Sequence, residues 1–117
     1  APGAVDQVVV DTLVTIFRDL RRGVTHEGWS VEKPGSIMST AEAVAISSSI
    51  ALSTSYFPHG PSALQLIPGH LLGAVRKDDD KDAGRLQAYW DAVIRRRTQT
   101  DESGTWRTLW EAREDVH

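Results

Sequence analysis

Apolar residues recur every three or four positions in three stretches of the chain, a spacing typical of helices with one buried face. In the first stretch, Ala4–Arg22, acidic side chains come early and basic ones late, as the helix dipole favours, and Gly23 follows as a stop signal. The second, Ser39–Ser53, opens with the capping-box sequence Ser39-Thr40-Ala41-Glu42. The third, Arg85–Arg97, places its large apolar residues on one face: Leu86, Tyr89, Trp90, Val93 and Ile94.

The second stretch differs from the other two because it is apolar on most sides. Its polar residues include the small serines Ser47–Ser49, which allow close approach of a neighbouring helix. A helix that is apolar all round is typical of a domain interior. We therefore expect Ser39–Ser53 in the middle of the domain.

The remaining segments combine turn signals with short helical patterns. Ser62–Ile67 and Gly69–Arg76 are predicted to be either one helix interrupted at Pro68 or two short helices, because proline disrupts a continuous helix. Lys77–Gly84 is predicted to be a charged link, and Trp106–Arg113 a short final helix. No segment carries the signals of a β-hairpin, so the pattern predicts an all-α protein.

Length and composition narrow the class further. The chain has 117 residues, enough for one domain, with 40% hydrophobic and 25% charged residues, as in an ordinary globular protein. The absence of cysteine excludes disulfides, thiolate zinc sites and cysteine nucleophiles. A net charge of −3 disfavours nucleic acid as a partner. No apolar run approaches the roughly 18 residues of a membrane span, and we expect a cytoplasmic protein.

Two segments of the chain are similar to each other. Thr15–Trp29 and Ala92–Trp106 each combine an apolar helix face, a basic helix end, a polar loop with an acidic residue and a closing tryptophan. We interpret them as parts of two repeat-like units, residues 5–54 and a partial unit at 85–117. Together they form a single all-α domain or fragment that spans residues 1–117.

These segments resemble the repeats of the prenyltransferase and squalene-cyclase-like superfamily. Those repeats pair a helix with a loop of the Asp-Gly-x-Trp type and a following helix that begins Ser-Thr-Ala. The matching residues here are His26–Trp29, Ser39–Ile46 and Asp101–Trp106. The resemblance implies helical hairpin repeats that are part of, or related to, an α/α toroid. Because five or six helices cannot close such a ring, it implies either a piece of a longer polypeptide or a small open domain.

The catalytic devices of that superfamily are not visible in the sequence. The resemblance implies either an Asp-x-Asp-Asp acid or a zinc site of Asp, Cys and His, and the chain carries neither. Asp78, Asp79 and Asp82 do match the Asp-Asp-x-x-Asp motif that holds magnesium and diphosphate in class I isoprenoid synthases. The other interpretation is a solvated loop, the usual setting of a block of like charges. We expect no cofactor, with magnesium as the alternative.

Other catalytic and cofactor patterns are also missing. The four histidines, His26, His59, His70 and His117, lack the spacing of metal ligands. The sequence has no nucleophile elbow around a serine, no P-loop and no dinucleotide-binding glycine motif. Arg95–Arg97 is a basic helix end that complements the helix dipole, with contact to a phosphate or carboxylate partner as the alternative.

The tryptophans supply the candidate binding residues. Trp29 and Trp90 are expected in the core, whereas Trp106 and Trp110, with Leu109, lie where partner helices are missing and would form an apolar patch typical of an interface. Packing onto the third helix is the alternative. The candidate binding residues are Trp106, Leu109, Trp110 and Trp29.

Three functions remain open on these grounds. The first is a non-catalytic helical repeat module for protein–protein interaction, whose partner is another protein or the remainder of a parent chain. The alternative is a fragment of a terpenoid cyclase or prenyltransferase-like enzyme acting on an isoprenoid diphosphate. A third is a small-ligand binder with an apolar pocket lined by Trp29 and Ser47–Ser49.

Overall fold

The computed structural model describes residues 6–35, 39–76 and 80–117, and these ranges contain helices and loops but no β-strand. This confirms the predicted all-α class. None of the described helices is both long and apolar enough to cross a membrane. The helices, in chain order, are α1 (Gln7–Arg22), α2 (Thr40–Tyr56), α3 (Ile67–Arg76), α4 (Asp80–Tyr89), α5 (Arg95–Arg97) and α6 (Thr105–Glu111).

The ends of the first two helices follow from local sequence. The Asp6 side chain accepts a hydrogen bond from the Val8 amide at the start of α1, and Gly23 ends it with a φ of +72° that favours glycine. At the start of α2, Ser39 and Glu42 form both hydrogen bonds of the predicted capping box. The predicted start of the first helix at Ala4 lies outside the described residues.

One continuous helical segment forms the centre of the fold. A π-helical turn, Trp90–Ile94, joins α4 to α5, so the chain is helical from residue 80 to residue 97. The five apolar residues predicted to share one face of this segment are all buried: Leu86, Tyr89, Trp90, Val93 and Ile94. The Trp90 indole Nε1 donates a hydrogen bond to the Leu109 carbonyl at 3.0 Å, which ties the segment to α6.

The core lies where α1, α3, the central segment and α6 meet. Each of these elements contributes fully buried aliphatic or aromatic side chains, among them Leu13, Phe17, Ile67, Leu71, Trp90 and Leu109. Within the described residues no buried side-chain nitrogen or oxygen lacks a hydrogen-bond partner.

The expectation that α2 lies in the middle of the domain is wrong. The buried side of this helix consists of Ala43, Ser47, Ile50 and Ala51. Its opposite side is exposed to solvent, including Val44 and Leu52. Apolar residues occur all round the helix. When one side packs on the domain, the apolar residues on the other sides therefore remain exposed to solvent.

Two smaller expectations also need correction. Lys77–Gly84 is not wholly a link, because α4 already begins at Asp80; residues 77–79 lie outside the described residues. Pro68 does not interrupt a helix. It lies in the first turn of α3, directly after a 3-10 turn at Leu64–Leu66, and a backbone N–H is not needed in the first turn.

Candidate functional site

Three consecutive arginines each face a different tryptophan at one end of the molecule. The Arg96 guanidinium lies 3.9 Å from the Trp29 ring centre, and that of Arg97 lies 4.6 Å from the Trp106 ring centre. Arg95 stands 5.9 Å from the ring centre of Trp110. These are distances at which a cation is attracted to an aromatic face, so the basic end of the central segment is fixed on aromatic rings.

Arg97 is the buried member of this group. Its guanidinium donates two hydrogen bonds to the Glu27 carboxylate, at 2.8 and 2.9 Å. It also lies 2.9 Å from Asp19 Oδ2 and donates to the Tyr89 hydroxyl at 3.1 Å. The Tyr89 hydroxyl in turn donates to Asp19 at 2.7 Å. We call Asp19, Glu27, Tyr89 and Arg97 the buried polar network.

Electrostatics within the network keep its charged groups charged. The hydrogen bonds from Arg97 lower the pKa of Glu27 to about 2. Burial acts to lower the pKa of Arg97, but its hydrogen bonds to Glu27 and the nearby groups Tyr89 and Asp19 outweigh burial and raise it. Burial, followed by the charge of Asp19, raises the pKa of Tyr89. These directions favour an ionised Glu27, a charged Arg97 and a neutral Tyr89 phenol in the network.

A cleft of about 380 Å³ lies beside the network, between α1, the loop that follows it and Trp106. Arg97 and the two carboxylates of the network form part of its lining. Arg18 and Arg22, one turn apart on α1, also line it; both are exposed and form no ion pair with any described residue.

The four candidate binding residues do not form an exposed apolar patch in the structure. Leu109 is fully buried in the core. Trp29, Trp106 and Trp110 are half-buried, and guanidinium groups lie over their rings, with Arg113 added to Arg95 on Trp110.

Of the three candidate magnesium ligands, one lies in the described part of the chain. Asp78 and Asp79 lie outside the described residues. Asp82 is buried, and its Oδ1 accepts hydrogen bonds from the Gly35 amide at 2.8 Å and from Arg85 at 2.7 Å. Among residues 6–35, 39–76 and 80–117, no group of three histidines or acidic residues has a metal-binding arrangement.

The exposed side of α2 is the second notable surface. Beyond Glu42 in its first turn, this side carries apolar, hydroxyl and aromatic side chains without charge. We call the following residues the α2 outer face: Ala41, Val44, Ala45, Ser48, Ser49, Leu52, Ser55 and Tyr56. Leu52 is 55% exposed and Tyr56 73%, and Phe57 directly after the helix is 67% exposed. Glu42, in the first turn, is the one charged residue of the helix.

A cavity of about 540 Å³ lies on the other side of α2, against the start of α1 and the loop that follows α2. Ser47 and Ile50 contribute to its lining, whereas Trp29 does not. Ser49 is exposed on the α2 outer face. This cavity is therefore not the expected pocket between Trp29 and Ser47–Ser49.

Sequence reasoning missed the buried polar network. Asp19 is an acidic residue in the first helical stretch, and nothing in the pattern marks it as buried, yet it is 3% exposed. No pattern in the sequence pairs Glu27 with Arg97. One signal was available: Tyr89 lies within an otherwise apolar helix face, and a buried hydroxyl requires a partner.

Comparison with known proteins identifies the family. A family model described as the YehL-like AAA+ ATPase C-terminal domain matches residues 1–117. A curated relative named uncharacterized protein YehL, from Escherichia coli (strain K12), is 28% identical over 112 residues. The match covers 96% of this chain, which spans 30% of that relative's length. No solved structure matches the chain.

The resemblance to the prenyltransferase and squalene-cyclase-like superfamily is therefore wrong, and the expected toroid loses its support. The residues that suggested it have general structural roles. Gly28 forms a tight turn in which Thr25 and Trp29 exchange hydrogen bonds, and Ser39 with Glu42 is a capping box. The two similar segments also diverge, because Trp29 is followed by extended chain whereas Trp106 lies inside α6. The chain belongs to the family of YehL-like AAA+ ATPase C-terminal domains.

Proposed function

We propose that this chain is a non-catalytic helical domain that docks onto the AAA+ module of its own polypeptide through the α2 outer face. The observation that carries the proposal is an exposed, uncharged helix face on an otherwise charged domain. The proposal keeps the protein-interaction function predicted from the sequence, and it places the contact on α2 rather than on the late tryptophans.

The sequence and the polar groups support a role without catalysis. The phosphate-binding P-loop motif does not occur in the 117 residues, so nucleotide hydrolysis belongs to another part of an AAA+ protein. The groups with strongly shifted pKa values, Glu27, Tyr89 and Arg97, satisfy one another. Such a closed set of partners is typical of a structural network rather than a reactive one.

The chemistry of the α2 outer face supports docking. Water-facing helices normally carry charged residues opposite their buried side, and α2 carries alanine, valine, leucine, serine and tyrosine there instead. Leu52 and Tyr56 supply the large side chains that anchor an interface. Small residues between them allow close approach of another element.

The small area of the α2 outer face favours a partner that belongs to the same polypeptide. A helix of 17 residues is about 25 Å long, so one face of it offers less area than the roughly 800 Å² per partner of a stable interface between separate proteins. Contacts between domains of one polypeptide are smaller, because the linker maintains a high effective concentration. The YehL relative, more than three times as long as the region that it shares with this chain, has room for such a module.

The test compares this domain alone with the same domain joined to an AAA+ module in one polypeptide. Amide hydrogen exchange in α2 is measured in both. Docking is expected to slow exchange across Val44–Tyr56 in the joined form alone, and Leu52→Glu is expected to abolish that difference because it places a charge in the contact.

Val8→Glu is the matched control, since Val8 is an apolar helical residue of similar exposure, 48% compared with 55% for Leu52. It should leave the exchange difference in place. Equal exchange of α2 in the separate and joined forms would contradict the proposal, as would an equal effect of Val8→Glu and Leu52→Glu.

A further inference from the structure

We infer that the cleft beside the buried polar network binds an acidic peptide segment of a protein partner, with Arg18 and Arg22 as the residues that contact its carboxylates. This site lies apart from the α2 outer face, and the inference does not rest on the proposed docking of the domain.

The two arginines are available for a ligand. They are four residues apart on α1 and therefore project from the same side of the helix, about one turn apart. Both are exposed, and neither has an ion-pair partner among the described residues. The guanidinium group is well suited to carboxylates, because its planar donors match the two carboxylate oxygens.

Arg97 and Trp106, which line the cleft together with Arg18 and Arg22, are held in fixed positions. Arg97 is fixed by Glu27, Asp19 and Tyr89 and lies over Trp106, which also lines the cleft. A ligand entering the cleft therefore meets a preorganised surface, and little conformational entropy is lost at these two residues when it binds.

The charge of the cleft favours carboxylates over phosphates. Three arginines line it, Arg18, Arg22 and Arg97, against the two acidic residues Asp19 and Glu27, so arginines outnumber acidic residues by one. A nucleotide polyphosphate brings several negative charges close to those two carboxylates, whereas a peptide brings single charges spaced along its chain.

The charge on the rest of the protein surface restricts where an acidic peptide segment can bind. The chain as a whole has a net charge of −3, so an acidic partner is repelled from most of its surface. A second depression shares Glu27, Arg97 and Trp106 with the cleft, and it adds the acidic residues Asp101 and Glu102 but no further arginine. The side formed by α1 is therefore the basic one.

The test uses a fluorescently labelled peptide of alternating glycine and glutamate, with the glycine–glutamine peptide as a control. The 117-residue chain is expected to bind the acidic peptide saturably and the control peptide at least tenfold more weakly. Arg18→Gln and Arg22→Gln should each raise the Kd about fivefold, the upper end for an exposed ion pair. Because both residues are exposed, the helical circular dichroism should stay unchanged.

Arg76→Gln is the matched control: it removes the same charge from an exposed arginine on α3 that does not line the cleft. It should change the Kd less than twofold, and so should Leu52→Glu on the α2 outer face. The inference is overturned if Arg76→Gln weakens binding as much as Arg18→Gln, or if the acidic peptide does not bind. It is also overturned if ATP or inorganic phosphate binds in the cleft more tightly than the peptide does.

Discussion

Arg97 is a charged residue that the fold surrounds with partners. Asp19 comes from α1, Glu27 from the loop after it and Tyr89 from the central segment, so one guanidinium joins three parts of the chain. The sequence shows only three adjacent arginines at a helix end. Their different environments arise from rotation along the helix, which turns Arg97 inward while Arg95 and Arg96 remain exposed.

Replacing Arg97 by methionine is expected to lower the free energy of unfolding by about 3–5 kcal/mol. The reason is that Asp19 would remain buried without its cationic partner, and an unpaired buried charge is costly. Urea unfolding followed by circular dichroism measures the change.

Arg96→Met is the control, because Arg96 is exposed and contacts the Trp29 ring. Its cost should stay below about 1 kcal/mol. A similar cost for both substitutions would show that the carboxylates around Arg97 do not depend on it.

Glu27 makes the stability of the domain depend on pH in the acid range. Its pKa is lowered from 4.5 to about 2, so the carboxylate stabilises the folded state fully above pH 4.5 and loses that effect as the pH falls towards 2. Because the side chain is partly exposed, we expect this contribution to be about 1 kcal/mol. Urea unfolding at pH 6 and pH 2.5 should show a smaller difference in Glu27→Gln than in the natural chain.

Glu111→Gln serves as the control for this pH measurement, since Glu111 is exposed on α6. That variant should keep the full pH dependence of the natural chain. If Glu27→Gln keeps it as well, the carboxylate does not titrate in the way that its contacts with Arg97 indicate.

The start of helix α2 could be predicted from the sequence, but the position of the helix in the domain could not. The Ser39–Glu42 capping box was predicted and is present. The side of α2 that packs on the domain could not be predicted, because its apolar residues are spread round the axis and no face stands out. The other helices had clear apolar faces, and those faces are buried.

Ser39→Ala is expected to lower the free energy of unfolding by about 1 kcal/mol, since it removes the hydrogen bond that the Glu42 amide donates to the Ser39 hydroxyl. Thermal and urea unfolding measure the loss. Ser49→Ala, the same change on the exposed side of α2, should be neutral or slightly stabilising, because alanine favours the helix and no cap is lost. If Ser39→Ala and Ser49→Ala lower the free energy of unfolding equally, the loss comes from replacing serine by alanine and not from removing the cap.

The whole domain depends on α6 to close its core. Leu109 is fully buried, and its carbonyl accepts the indole hydrogen bond of Trp90, which is itself fully buried. The sequence predicted a short helix here, but it assigned Leu109 to a binding surface. A short helix at the end of a chain gives no local sign of whether its apolar side faces the core or a partner.

Leu109→Ala is expected to lower the free energy of unfolding by about 2–5 kcal/mol, since it leaves a cavity beside Trp90. Leu52→Ala makes the same truncation at a residue that is 55% exposed and should cost less than about 0.5 kcal/mol. Urea unfolding of both variants, followed by tryptophan fluorescence, provides the comparison. A small cost for Leu109→Ala would contradict the position of α6 in the core.

The sequence by itself determined the all-α class, the capped start of α2 and the buried face of the central segment, because helical periodicity and capping depend on residues a few positions apart. Only the tertiary structure decided which side of α2 is exposed, that Asp19 and Arg97 meet in the interior, and that Leu109 closes the core. These are contacts between distant parts of the chain: Asp19 and Tyr89 hydrogen-bond across 70 residues. No local pattern encodes such a pairing, since it depends on how the helices pack against one another.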